Sequence, residues 1–555
     1  MTKSEKKLHS RWLGSVRYSD ASELQHALHR TDHAYLLLLE HPNVYTLGVR
    51  TSLDHVLVDP NEVGAEMVWT DRGGDVTFHG PGQLVGYPIL DVPIGPGAVP
   101  TFVHRLEKVL IDVLADFSID AYTDPEYPGV WVDQSAPRKI AAIGVKITKG
   151  RSMHGFALNV ATDLSMFSHI IPCGISDRGV TSMHAEGVDA DIVGVAARVA
   201  LRMADAWNLV LEHRALNGTV QAGDMTSQTL VTTDVAHVST QVTDVASSLN
   251  RRLIRAGVDT GSGLRIRDRK PEWMKRKVAM GEEYRSLKGL LRRFSLTTVC
   301  EEAGCPNIFE CWADGTATFM INGERCTRAC GFCLVDTSKP LPIDQDEARR
   351  VAEAVTEMGL RFAVITAVAR DDLLDGGASG FVRTMEAIRS LDPSVGIEVL
   401  IPDCKGDVDA LESIFSARPD VLNHNIETPL RLQKAVRPSA SYARSLSVLA
   451  RAKGAGLVTK SGIIVGLGEE IDEVFETMAD LRAVGVEILT VGQYLRPTSR
   501  HAPVMRYYQP EEFERIRDFG SSLGFRHVEA GPMARSSYHA RQGSESVEGV
   551  LVSLS

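Results

Sequence analysis

Residues 316–333 read TATFMINGERCTRACGFC, and the organisation of the C-terminal half follows from that stretch. TATFMING is a short apolar, β-branched run ending on the turn formers Asn322 and Gly323, so it reads as a strand. The loop after it carries Cys326, Cys330 and Cys333 at the spacing C-x3-C-x2-C. Three thiolates on one short loop can hold three corners of a 4Fe–4S cube and leave the fourth iron open to a small molecule. Upstream, VCEEAGCPNIFEC holds Cys300, Cys305 and Cys311 at C-x4-C-x5-C. Two triplets side by side suggest two clusters with different tasks. Structural zinc is the competing explanation, because C-x2-C is a common zinc spacing. Against it, the second triplet has three ligands on one loop and no His or fourth Cys close behind.

Downstream the chain alternates. EARRVAEAVTEMG, RFAVITAV, FVRTMEAIRSL, GIEVLIPD, DVDALESIFSA and VLNHNIET come first. SYARSLSVLARAKG, SGIIVGLG, IDEVFETMADLRAVG and VEILTVGQYL continue the series. Short β-branched runs between amphipathic helices predict βα units on a parallel sheet. Counted from the first strand there are six, a partial (β/α)6 barrel of the TIM type, closed by PEEFERIRDFGSSLG and FRHVEAG. Reactive groups in that architecture gather on loops at the strands' C-terminal ends, where Cys326–Cys333 fall. Arg370, Asp371 and Asp372 also follow a strand; a helix N-terminal charge cluster explains them equally well. Gly462-x-Ile464-x-Gly466-x-x-Glu469 is either a cofactor cradle or ordinary turn glycine. Cys404 stands apart and reads as a plain thiol.

The 555 residues exceed one core, so at least two domains are expected. With 44% hydrophobic and 24% charged residues the composition is that of a soluble globular chain. A net charge of −11 offers no polycationic footprint, which argues against nucleic acid as partner. No apolar run is long enough to span a bilayer, and MTKSEKKLHSRW lacks a secretory h-region. No membrane partner and a cytoplasmic location are therefore expected. Composition shifts once, over a Thr/Ser/Val-rich stretch. It sets the expected boundaries: domain 1–215, linker 216–258, domain 259–555.

In the N-terminal half, Asp20-Ala21-Ser22-Glu23 resembles a capping box opening a helix. RGGDVTFHGPGQLVGYPILD surrounds His79 with glycine and proline and offers Arg72 as a forked cation. Leu106, Leu110, Val113 and Phe117 form one helix face. KIAAIGVKITKG, led by Lys139, and SMHGFALNVATD are read as hairpin partners, followed by Cys173 in HIIPCGISDRGVTS. A lone cysteine is a nucleophile only if something lowers its pKa, and Lys139 could do so if the two meet in space.

These strings carry resemblances. The C-x3-C-x2-C loop after a first barrel strand is similar to the radical S-adenosylmethionine superfamily. CPNIFECWADGTATFMINGERCTRACGFC, NHNIETPLRL, GQYLRPTSRHAPV and GPMARSSYHA resemble lipoyl synthase, from Arg269 to the end. The resemblance implies two 4Fe–4S clusters. Cys326, Cys330 and Cys333 would hold the one that binds S-adenosyl-L-methionine. Cys300, Cys305, Cys311 and Ser537 would hold an auxiliary cluster that gives up sulfur to C6 and C8 of a protein-bound octanoyl chain. Gly331 and Arg496 stand where that family usually has other residue types. RGGDVTFHGPGQLVGYPILD, RKIAAIGVKI, MHGFALNV and IIPCGI resemble lipoyl(octanoyl) transferase, across residues 11–210. That implies an α+β domain of the biotin/lipoate ligase-like fold. Cys173 would take octanoyl as a thioester, with Lys139 stabilising the thiolate and serving as acid and base. Arg72, Gly73, Gly74, Asp75, Val76, Thr77, Phe78, His79, Ala142, Ile143, Gly144, Gly155, Phe156 and Ala157 would line the acyl pocket. His79 is equally well explained as a satisfied structural histidine.

The resemblances imply a bifunctional enzyme of lipoate biosynthesis. Its partners would be octanoyl-acyl carrier protein, lipoyl domains of 2-oxoacid dehydrogenase complexes and the glycine cleavage H protein. An electron donor such as ferredoxin or flavodoxin would serve the second half. Joining the steps would raise the local concentration of the second site around the first product. Two rival readings are an ATP-dependent lipoate ligase in the N-terminal half and a redox or iron-sensing protein in the C-terminal half.

Overall fold

In the computed structural model, residues 6–175, 177–212, 244–274, 289, 293–294, 296–298, 316–537 and 540–545 are described. The chain divides into two compact units, Met1–Leu216 and Asn217–Ser555. Among the described residues no helix is long and apolar enough to cross a membrane.

The first unit runs β1 (Lys7–Ser15), α1 (Tyr18–His29), β2 (Ala34–Glu40), β3 (Val44–Leu47), β4 (Glu66–Trp69), β5 (Thr77–His79) and β6 (Gln83–Ile89). It continues with α2 (Ala98–Asp116), β7 (Tyr122–Thr123), β8 (Val130–Val132), β9 (Arg138–Thr148), β10 (Arg151–Asn159), β11 (Gly179–Val180), α3 (Ile192–Trp207) and β12 (Val210–Glu212). The main sheet is mixed, in the order β12-β1-β2-β6-β10-β9-β8-β7, with β11 on β9. A small sheet, β4-β3-β5, stands beside it. The apolar stripe of α2, Leu106, Leu110 and Val113, packs with Val195, Val199 and Met203 of α3 against Leu36, Leu84, Ile140 and Leu158 of the strands. The expected hairpin is β9–β10, antiparallel from Arg151↔Thr148 onward. The expected capping box is not there. Helix α1 starts at Tyr18 with Arg17 as N-cap, and Asp20 lies buried inside the first turn. Tyr18 explains the earlier start: its ring is buried and its hydroxyl donates to Thr70 Oγ1 at 2.9 Å, which draws three more residues into the helix.

In the second unit α4 (Asp244–Arg255) precedes the short strand β13 (Thr297–Thr298) and β14 (Thr316–Ile321). Then come α5 (Glu347–Glu357), β15 (Phe362–Ala367), α6 (Ala378–Leu391), β16 (Gly396–Leu400), α7 (Val408–Ser416), β17 (Val421–Asn423), α8 (Leu430–Val436) and α9 (Tyr442–Gly454). β18 (Val458–Val465), α10 (Ile471–Ala483), β19 (Ile488–Gln493), α11 (Pro510–Leu523) and β20 (His527–Gly531) complete it. Strands β14 to β20 pair in chain order and in parallel, with β13 antiparallel on the β14 edge. These are the expected six strand–helix units, β14 to β19, with β20 as the closing strand. Residues 244–258 were expected in the linker from their polar composition. Instead Leu249, Leu253 and Val258 are buried against Leu432, Ala435 and Val436. Two buried leucines one helical turn apart, with Val258 just beyond the helix end, were too sparse among Ser, Asn and Arg to stand out in the sequence.

Across three neighbouring strands, from β16 over β17 to β18, lies a buried charge pair. Lys460 Nζ donates to Glu398 Oε2 at 3.0 Å, and Asn423 Nδ2 donates to Glu398 Oε1 at 2.7 Å, all three side chains being out of water. Removing one partner leaves the other charge buried and unpaired, which costs far more than removing both. Lys460→Met should therefore lower unfolding free energy by about 3–5 kcal/mol. Lys460→Met with Glu398→Gln should recover most of that loss, read from denaturant midpoints.

Candidate functional site

Cys173 and Lys139 are brought to one cavity of the first unit. Its walls include Thr77, Gln83, Ala142, Ala157, Asn159, Phe167 and Val180. Cys173 sits in the turn Pro172–Gly174 at φ 57°, a left-handed conformation uncommon for any residue but glycine. Its N–H donates to Val76 O at 2.9 Å, which ties the turn to the segment before β5. Lys139 is buried on β9, donates to Pro128 O at 3.2 Å and lies 4.7 Å over the Trp131 ring. β11 pairs in parallel with the start of β9, Val180 opposite Lys139, so the chain leaving Cys173 passes the lysine.

The residues expected to line an acyl pocket divide into two groups. Thr77, Ala142 and Ala157 face the cavity. Val76 and Phe78 belong to the core of the small sheet, and Phe156 to the main core. Arg72 is buried and donates to Thr46 O at 2.6 Å and Thr46 Oγ1 at 2.8 Å; burial lowers its pKa, with Cys173 among the groups opposing that fall. Asp75 accepts from Val76 N–H at 2.6 Å and pairs with His55 Nδ1 at 2.6 Å. His79 has both ring nitrogens engaged, with Gln83 Oε1 at 2.7 Å and Thr46 Oγ1 at 3.3 Å, and burial holds it neutral far below the usual imidazole range. Gly73 N–H bonds Val145 O at 3.1 Å, and Gly74 takes φ 98°. Ile143 packs against the main core, and Gly144 pairs with Gly155 across the hairpin. A Cβ on Gly155 would strike Pro88 Cδ at 2.6 Å, so the glycine there serves strand packing. Gln83, Asn159, Phe167 and Val180 were not singled out from sequence. Gln83 Nε2 donates to Asn159 Oδ1 at 3.0 Å, and two amides in otherwise apolar strands are the signal that could have found them.

In the second unit, Cys326, Cys330 and Cys333 follow β14 and are half-buried. Burial raises the Cys330 thiol and pushes Cys333 up to about 12. The loop is tied down at many points. Cys326 N–H bonds Asp336 O at 2.8 Å, Thr327 N–H bonds Ala369 O at 3.0 Å, and Gly331 N–H bonds Val436 O at 2.7 Å. His501 Nε2 lies 2.9 Å from Cys333 O. Among the described residues no three His, Cys, Asp or Glu groups form a single-ion site. A 4Fe–4S cube asks something different, one thiolate per iron. The donor set suits that: three thiols on one loop, none competing for a common point. Nearby, Asn425 Oδ1 and Arg437 Nε are buried without a hydrogen-bond partner, so polar atoms at this rim are free to meet a ligand. Cys300, Cys305 and Cys311 lie outside the described residues. Ser537 is half-buried beside Ser536, whose Oγ accepts from Asn425 Nδ2 at 2.8 Å.

Other sequence candidates resolve structurally. Glu469 accepts from Gly466 N–H at 2.5 Å and Leu467 N–H at 2.9 Å, a staple across the turn. A Cβ on Gly462 would meet Asn425 Oδ1 at 2.7 Å. Helix α6 opens only at Ala378, so a helix N-terminus does not account for Asp371; Asp371 instead receives Arg328. Gly331 leaves room for α4, where Leu249 Cδ1 would lie 2.8 Å from an added Cβ. Arg496 is bonded to Thr498 O and Ser499 O of its own loop. Cys404 is buried and its thiol is pushed up to about 12 by burial.

Residues 18–204 match the lipoyl protein ligase A/B catalytic domain family. Residues 320–481 match the radical SAM superfamily, and residues 252–305 match the N-terminal domain of lipoyl synthase. A lipoyl synthase of Nocardia farcinica is 52% identical over 312 residues, 56% of this chain and 88% of that protein. One of Rubrobacter xylanophilus is 56% identical over 283 residues, 51% of this chain and 88% of that protein. Among solved structures, a lipoate-protein ligase A bound with ATP is 17% identical with a TM-score of 0.31, covering 38% of this chain and 89% of its own.

Edge-on to His79, with ring centroids 5.6 Å apart, stands His41, whose Nδ1 lies 2.7 Å from Val16 O and whose Nε2 lies 2.7 Å from Tyr87 OH. Burial holds this imidazole neutral, with a pKa lowered from 6.5 to about 4. The unfolded imidazole takes up a proton first as pH falls, so the unfolded state binds more protons within that window. Stability due to His41 should be complete above 6.5 and decline towards 4, by on the order of 3 kcal/mol. His41→Gln should flatten the pH dependence of the first unit's unfolding between about pH 7 and pH 5.

Proposed function

The chain belongs to the lipoyl synthase family and carries a lipoyl protein ligase A/B-type domain ahead of its radical SAM domain; from that premise we propose that it performs two consecutive steps on one acceptor lysine. Its role is lipoate biosynthesis. In the first step the Cys173 thiolate attacks the thioester of octanoyl-acyl carrier protein, forming an octanoyl thioester on Cys173 and releasing the carrier thiol. The ε-amine of a lysine on a lipoyl domain then attacks that thioester. An amide forms, the Cys173 sulfur leaves, and Lys139 takes and returns the proton that balances the exchange. The observation that carries this reading is the shared cavity of Cys173 and Lys139, whose remaining walls are largely apolar. An ATP-dependent ligase would have no use for a thiol there.

In the second step the octanoyl amide would gain sulfur at C6 and C8. Cys326, Cys330 and Cys333 would hold the 4Fe–4S cluster; when bound, it supplies the electron that cleaves S-adenosyl-L-methionine to a carbon radical able to abstract hydrogen from the chain. Asn425 and Arg437 would orient the cofactor's polar end, and the buried rim would keep water out. The sulfur source, as substrate, would be an auxiliary cluster on Cys300, Cys305, Cys311 and Ser537. A ferredoxin or flavodoxin would deliver electrons, and lipoyl domains of 2-oxoacid dehydrogenases and the H protein would be acceptors.

The test is the intact mass of an apo lipoyl domain incubated anaerobically with the reconstituted chain, octanoyl-acyl carrier protein, S-adenosylmethionine and reductant. A lipoyl mass gain supports both steps. Cys173→Ser should cut modification about a thousandfold or more, and Cys330→Ala should stop at the octanoyl mass. Full activity of Cys173→Ser with lipoate and ATP would overturn the transferase reading.

A further inference from the structure

We propose that Arg328 is the positioning residue of the Cys326–Cys333 loop: its fork on Asp371 and Asp403 sets where the thiols stand. This rests on the reading that the loop holds a 4Fe–4S cluster and goes one step deeper, to what holds the ligands. Arg328 lies between the first two cysteines of the loop. Its Nε donates to Asp371 Oδ2 at 2.7 Å and its Nη2 to Asp371 Oδ1 at 2.8 Å. The same Nη2 donates to Asp403 Oδ1 at 2.5 Å. Asp371 follows β15 and Asp403 follows β16, so one guanidinium anchors the loop after β14 to the next two strand ends. Its backbone N–H lies 3.4 Å from Cys326 Sγ. Hydrogen bonds to ligand sulfur are among the contacts that set a cluster's properties.

A purely structural filler would not need this arrangement. The Arg328 side chain is 7% exposed and Asp403 is fully buried, and two buried charges are costly to bring out of water. The second oxygen of Asp403 makes no hydrogen bond and faces Arg444 at 3.6 Å, so the site is built around the fork. A planar fork meeting one carboxylate at two points and a second at one leaves little freedom of angle. That fixed angle is passed through the backbone to the N–H aimed at Cys326.

The test uses the full-length chain carrying Cys300→Ala, Cys305→Ala and Cys311→Ala, so that any cluster sits on the second triplet. After anaerobic reconstitution this parent should hold about four irons per chain. Arg328→Gln should lose at least about half of that iron on gel filtration. The EPR spectrum of its reduced remainder should differ from the parent's, with and without S-adenosylmethionine. Arg328→Lys keeps the charge without the fork and should fall between. Circular dichroism separates these losses from unfolding; if Arg328→Gln does not fold, Arg328→Lys and Asp371→Asn decide by the same two readouts. Parent-like iron and an unchanged EPR spectrum in the folded variants overturn the proposal alone. A parent with no iron overturns the cluster reading, and the proposal falls with it.

Discussion

The grip of Arg328 on two strand ends is the contact on which the C-terminal site depends. A loop carrying three thiols has no regular structure of its own to hold them. Parallel pairing of β14 to β20 in chain order puts the ends of all these strands on one rim. Asp371 and Asp403 occupy neighbouring positions on that rim, and although burial opposes ionisation, Arg328 holds the Asp403 carboxyl at about 2. The charge pair therefore persists across the physiological range. Thr327 adds a hydroxyl bond to Ala369 O at 2.9 Å, so side chain and backbone fasten the same point.

The N-terminal unit solves the corresponding problem differently. Cys173 is held on a left-handed turn, and the strain of that conformation is borne by one backbone bond to Val76 and by the pairing of β11 with β9. Both anchors are backbone contacts, one to the segment just before β5 and one to the start of β9. Arg72, expected to line the acyl pocket, donates to Thr46 and to Gly73 O and so ties β3 to the segment ahead of β5.

Glycine marks where elements press together in both units. Gly331 admits Leu249 of α4, which brings the start of the second unit against the thiol loop. Gly462 admits Asn425, and Gly155 admits Pro88. None of these has a left-handed backbone; an added Cβ would strike backbone at Gly155, where Gly86 O would lie at 2.1 Å, and movable side-chain ends at Gly331 and Gly462.

The C-terminal order of strands and helices was legible in sequence because each strand is a short β-branched run and each helix has its own apolar stripe. The thiol triplet was legible because its spacing is local. What failed was also local: the first turn of α1 and the helix α4, where a buried Tyr18 or Leu249 outweighs composition. The partners of Arg328 lie 43 and 75 residues away, and Cys173 meets Lys139 only through strand pairing, so no spacing rule could join them. By itself the sequence determined which side chains could bind metal or act as nucleophile, since chemistry resides in residue type. Tertiary structure alone decided which of them share a site, because buried charges and polar backbone groups must find partners wherever the fold brings them.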